Sequence, residues 1–139
     1  MPLMPRRVKF RKFQRGKNRG IAIKGSQLNF GEFGLKALAN GVIKNTQIEA
    51  IRVLFARQLR GTGRVYIRIF PHKSITKKPA EVRMGKGKGD LDCWVACVRR
   101  GAVLFELGGI PEALARQAMR LAAFKLPLRT KFVSRSAQI

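Results

Sequence analysis

Asp92-Cys93-Trp94-Val95-Ala96-Cys97-Val98-Arg99-Arg100-Gly101-Ala102-Val103-Leu104-Phe105-Glu106-Leu107 is the stretch on which the fold turns. Two apolar runs, 92–99 and 102–107, flank Arg100-Gly101, and this spacing predicts two antiparallel strands joined at that pair. Gly108-Gly109 then breaks the sheet. Pro111 suits the first position of a helix, because its missing N–H is not needed there, and Glu112 beside it complements the helix dipole. Leu114, Ala118, Leu121 and Ala122 form the apolar stripe, widened by Ala115 and Met119. Pro127 stops this helix near Lys125. Residues 128–133 read as a last strand and 134–139 as a short tail.

Upstream, Thr46 and Glu49 fit a capping box at a helix start. Ile48, Ile51, Leu54, Phe55 and Leu59 recur at helical spacing, with Arg52, Arg57 and Arg60 off the stripe and Gly61 and Gly63 ending it. Residues 64–70 alternate: Val65, Ile67 and Ile69 on one side, Tyr66, Arg68 and Phe70 on the other. The second face suits either a partner or a wet surface carrying stray aromatics. In residues 26–38, Leu28 and Phe30 alternate with polar residues as in a half-buried strand. Gly31 and Gly34 signal a bulge or a close backbone approach, and Asn40-Gly41 a turn. The whole predicts an α+β fold: two helices packed on a mainly antiparallel β-sheet.

One domain is expected for 139 residues, with a core able to bury roughly two thirds of the unfolded surface. Thirty Lys and Arg against seven Asp and Glu leave a net charge of +23, which calls for a polyanionic partner. Nucleic acid is favoured over membrane, since no apolar run is long enough to span a bilayer and no signal peptide is visible. The Arg-rich start imitates an organelle transit peptide, but its first serine is Ser26. Cys93 and Cys97 fall on one side of a strand about 13 Å apart, too far to bridge, and read as small apolar residues in a reducing compartment. A single histidine, His72, leaves no metal set.

The charge is concentrated in two segments. Residues 1–25 form a basic arm with Arg6, Arg7, Lys9, Arg11, Lys12, Arg15, Lys17, Arg19 and Lys24 and no acid, interrupted by Val8, Phe10 and Phe13. Such an arm orders on nucleic acid, with its cations on phosphates and a phenylalanine on a base or on the domain. The second segment is a long loop, residues 71–90, within the globular α+β core of 26–139 that follows the arm. Its cations are Lys73, Lys77, Lys78, Arg83, Lys86 and Lys88, and its core is Arg83-Met84-Gly85-Lys86-Gly87-Lys88-Gly89. Glycines let the backbone approach a ligand and turn successive N–H groups on a phosphate, beside the lysines. Nucleotide motifs fail: Ser26 stands where a Walker A lysine belongs after Gly20 and Gly25, and Asp90 fills the third place of the dinucleotide fingerprint. No carboxylate pair or usable base is present, so no enzyme, catalytic residue, cofactor or metal is expected.

Several motifs in one order then resemble a known family, the bacterial-type large-subunit ribosomal protein L-sixteen. They are Lys9-Phe10-Arg11-Lys12 with Gly16-Lys17-Asn18-Arg19-Gly20, Phe30-Gly31-Glu32-Phe33-Gly34-Leu35-Lys36-Ala37, Gln47-Ile48-Glu49-Ala50, Ile67-Arg68-Ile69-Phe70-Pro71, Ile75-Thr76-Lys77-Lys78-Pro79, the Arg83 to Gly89 run, Trp94-Val95-Ala96, and Lys125-Leu126-Pro127 with Thr130-Lys131-Phe132-Val133. The resemblance implies a structural constituent of the large ribosomal subunit, cytoplasmic in a bacterium or placed in an organelle ribosome. Its implied partners are large-subunit rRNA, aminoacyl- and peptidyl-site tRNA, and neighbouring large-subunit proteins. It puts Lys9, Arg11, Lys12, Lys17 and Arg19 on rRNA, and the charge of the same arm adds Arg6, Arg7 and Arg15. Lys77, Lys78, Arg83, Met84, Gly85, Lys86, Gly87, Lys88 and Gly89 fall on a loop reaching towards tRNA near the peptidyl-transferase centre. A free RNA chaperone is the rival reading. His72, Ser74, Cys93 and Tyr66 depart from the family's usual residues, and Met4 is an alternative start.

Overall fold

The computed structural model describes residues 3–135. Met1 and the tail beyond 135 lie outside the described residues. Among the described residues, seven strands and two helices follow one another as β1 (Phe33–Ala37), β2 (Gly41–Lys44), α1 (Asn45–Leu59), β3 (Arg64–Ile67), β4 (Lys73–Lys77), β5 (Asp90–Val98), β6 (Val103–Gly108), α2 (Glu112–Ala123) and β7 (Thr130–Ser134). The α+β expectation holds, but the strands make two sheets: four strands ordered β3-β6-β1-β7 and three ordered β2-β5-β4.

The expected hairpin at Arg100-Gly101 does not form. β5 and β6 pair with different strands and belong to different sheets. Both pair with the segment that contains β1 and β2: Lys36 faces Val103 before the corner and Gly41 faces Val98 after it, in the same register. Two long antiparallel strands therefore bend together, and each half joins its own sheet. The corner is held by Gly101 N–H to Ala37 O (2.7 Å), Ala37 N–H to Ala102 O (2.8 Å) and Arg100 N–H to Asn40 Oδ1 (2.6 Å). Gly101 turns there at φ 93, a conformation that suits glycine.

Helix α1 packs across the join, against β2 and β5 of one sheet and β3 of the other, and α2 covers β1 and β7. Ile48, Ile51, Phe55 and Leu59 are buried, as the periodicity predicts, while Leu54 is half-buried. Phe55 meets Phe105 edge-on at 5.7 Å between ring centres. The capping box falls two residues earlier than expected. The chain enters α1 directly from β2, so Lys44 is the cap and its N–H donates to Gln47 Oε1 (2.9 Å). Glu49 instead accepts from Arg52 (2.5 Å), and that hydrogen bond holds its carboxyl below the usual range. In α2 the buried stripe is Ala115, Ala118, Met119 and Ala122, with Leu114 and Leu121 at its margin.

Residues 26–32 are not a strand. Leu28 is buried, but by crossing the outer side of the four-stranded sheet over Gly34, where a Cβ would lie 2.3 Å from Leu28 Cδ2. Gly31 likewise sits on Leu107, with a Cβ position 2.6 Å from its carbonyl oxygen. The close-approach reading of both glycines thus holds. The loop expected over 71–90 contains β4, antiparallel to β5. Its sequence, Lys-Ser-Ile-Thr-Lys, has one large apolar residue and no strong strand signal of its own; pairing with β5 makes it a strand.

Candidate nucleic-acid interface

The arm lies along the three-stranded sheet. Asn18 fixes it by donating from Nδ2 to Gly41 O (3.0 Å) and Val98 O (2.9 Å), on adjacent strands. Ala22 N–H donates to Arg100 O (3.0 Å), and Ile21 bridges Arg100 in parallel. Nearer its start, Arg11 O accepts from Ser74 Oγ and Arg15 O accepts from Lys73 Nζ. Phe13 meets Trp94 edge-on at 6.4 Å, so of the two arm phenylalanines this one packs on the domain. Phe10 is exposed, with Lys9 Nζ 5.7 Å from its ring centre. Backbone carbonyls and Phe13 thus attach the arm, while the side chains of Arg6, Arg7, Lys9, Arg11, Lys12, Arg15, Lys17 and Arg19 are exposed. This division leaves the guanidinium and ammonium groups available to phosphates. A groove of about 640 Å³ remains between arm and sheet, bordered by Phe13, Arg15, Lys73, Val95, Cys97 and Lys88. Cys97 is exposed there as a free thiol, and Cys93 is half-buried.

The loop proper is residues 78–89, since Lys77 ends β4. Gly85, Lys86 and Gly87 take φ values of 106, 58 and 108. Consecutive residues of this kind turn the chain sharply and strain the one lysine among them. A Cβ on Gly85 or Gly87 would meet nothing within 4 Å, so these glycines serve conformation. Gly89 differs: a Cβ there would lie 2.8 Å from the Lys77 carbonyl carbon, so it lets the loop close on β4. Arg83, Met84 and Lys86 are exposed at the tip, Met84 to 93%. Lys78 Nζ turns inward to Gly85 O, and Lys88 Nζ donates to Phe13 O of the arm. The two basic segments, far apart in sequence, are therefore tied together beside the three-stranded sheet. Sequence reading treated Lys86 and Lys88 alike; the fold separates them.

Among the described residues no group of His, Cys, Asp or Glu could hold a metal, and no helix is long and apolar enough to cross a membrane.

Comparison with known proteins identifies the family. The family described as ribosomal protein L16p/L10e matches residues 5–133. The chain is 56% identical over 135 residues to the large ribosomal subunit protein uL16 of Methylacidiphilum infernorum, covering 97% of this chain and 94% of that relative. It is 57% identical over 134 residues to the protein of the same name from Leptospira biflexa serovar Patoc, covering 96% and 98%. A match that takes in the arm, both sheets, both helices and the loop means that this chain belongs to the ribosomal protein L16p/L10e family, whose members are structural ribosomal proteins rather than enzymes.

Proposed function

We propose that this protein is built into the large ribosomal subunit, where the arm binds rRNA and the tip of the loop approaches tRNA. The observation that carries the proposal is the tie between arm and loop through Lys88 and Phe13, which joins two cationic segments into one continuous surface. Arg6, Arg7, Lys9, Arg11, Lys12, Arg15, Lys17 and Arg19 supply the rRNA contacts on this reading. Arg83, Met84, Lys86 and the turn of Gly85 and Gly87 form the tRNA-facing tip, with Lys77, Lys78, Lys88 and Gly89 holding its base. The contacts are to phosphates and fix position, not base sequence. The protein thereby helps to organise the aminoacyl-tRNA site near the peptidyl-transferase centre, beside neighbouring large-subunit proteins, in a bacterial-type ribosome.

Sucrose-gradient sedimentation tests the assignment. The protein is expected with the large subunit in low and moderate salt. A free pool exchanging among unrelated RNAs would instead make it a general RNA chaperone. Replacing Arg11 and Lys12 by Ala should reduce incorporation, whereas Lys86→Ala should weaken tRNA placement on assembled subunits. Equal loss of both functions in both variants contradicts the division.

A further inference from the structure

Beside the four-stranded sheet, Phe30 is exposed to 60% yet in contact with neighbouring side chains. Its ring stacks on Tyr66 at 5.5 Å with 25° between planes, and Arg68 Cζ lies 5.2 Å from its centre. The backbone beneath is anchored by Glu106, which is completely buried. Its carboxylate accepts from Asn29 N–H (2.8 Å) and Phe30 N–H (3.3 Å) and pairs with Arg68 Nη1 (3.3 Å), and Arg68 in turn donates to Gln27 O (3.1 Å). A buried carboxylate, costly to desolvate, is here satisfied by an arginine and two amides whose effect is to present a phenylalanine to solvent.

Beside the ring runs a groove of about 370 Å³, with Arg64 and Arg135 on its walls and Glu32 as its exposed acid. Its floor is bare backbone. A Cβ on Gly63 would lie 2.6 Å from Gly108 O, and one on Gly31 2.6 Å from Leu107 O, so side chains are kept out by packing. A flat ring beside bare backbone, flanked by two guanidinium groups, matches an unstacked base with its phosphates.

We infer that Phe30, backed by Tyr66, is a stacking platform for an unpaired RNA base, with Arg64 and Arg135 on the flanking phosphates. The inference rests on the proposed rRNA partner and adds to it a contact surface outside the arm and the loop. Ring and charges act separately: stacking supplies affinity independent of salt, and the arginines supply the salt-dependent part.

The test uses the full-length protein and large-subunit rRNA transcript, with binding measured across a salt series and nucleotides mapped by base-specific chemical probing. Phe30→Ala should weaken binding by roughly ten-fold without changing the salt slope, and expose one protected base. Phe30→Trp should restore both, whereas Phe30→Leu, which keeps apolar bulk without a ring, should not. Arg64→Ala and Arg135→Ala should each lower the slope by about 0.7 to 0.9. Unchanged affinity and protection in Phe30→Ala, with RNA still bound, overturn the platform and leave the rRNA assignment standing. Recovery by Phe30→Leu overturns it too, since the site would then serve apolar packing, as against a protein neighbour. Failure of the unaltered protein to bind the transcript overturns both readings.

Discussion

Lys88, near the end of the loop, donates from Nζ to the carbonyl oxygen of Phe13 in the arm, across 75 residues of sequence. Lys86, two positions earlier, is exposed at a positive φ. The two lysines therefore do different work. Lys88→Ala should release the arm, seen as faster trypsin cleavage after Arg11, Lys12 and Arg15, while Lys86→Ala leaves cleavage there unchanged. Lys86→Ala should instead lower the salt slope of RNA binding by about 0.7 to 0.9, one phosphate contact. Equal cleavage rates in the two variants would count against the tie.

Glycine replacements should separate packing from conformation. Gly31→Ala forces a Cβ to within 2.6 Å of Leu107 O, which is backbone and cannot rotate away. A loss of about 1–3 kcal/mol is expected in chemical denaturation. Gly85→Ala meets no neighbour within 4 Å but must hold a φ of 106. It should leave the denaturation midpoint in place and, on the proposed function, weaken only tRNA placement.

Core burial ranks two neighbours on α1. Phe55 is fully buried against Phe105, so Phe55→Ala should cost about 3–5 kcal/mol. Leu54 is half-buried, and Leu54→Ala should cost about 1–2 kcal/mol, since part of its side chain is already wet. Urea unfolding of both variants checks the order; a larger loss at Leu54 would place the helix face wrongly.

Thiol chemistry offers a pH readout. Partial burial, and then the neighbouring Asp92 carboxylate, push the Cys93 thiol up, so at mildly alkaline pH it stays protonated and unreactive. Cys97 is exposed on the groove. Alkylation followed by mass spectrometry should modify Cys97 first, with Cys93 lagging until the pH is raised further. Binding of rRNA along the arm should slow the reaction at Cys97, which the groove borders.

The sequence by itself determined what depends on composition and near neighbours. Net charge, the acid-free arm, the Gly-Lys run and both helices were legible, because charge is additive and a helix hydrogen-bonds within four residues. The family motifs were legible by resemblance to known members, not through this physics. Only the tertiary structure decided which strand pairs with which. Residues 92–107 read as one hairpin, yet their partners are Lys36 and Gly41, some sixty residues away, and the corner at Gly101 sends each half to a different sheet. β4 was hidden because its strand character comes from β5. Phe30 was misread as part of a half-buried strand, because the buried Glu106 that fixes it lies 76 residues further on. Sheet hydrogen bonds and buried ion pairs join residues remote in the chain, and no local pattern records which remote group will be the partner.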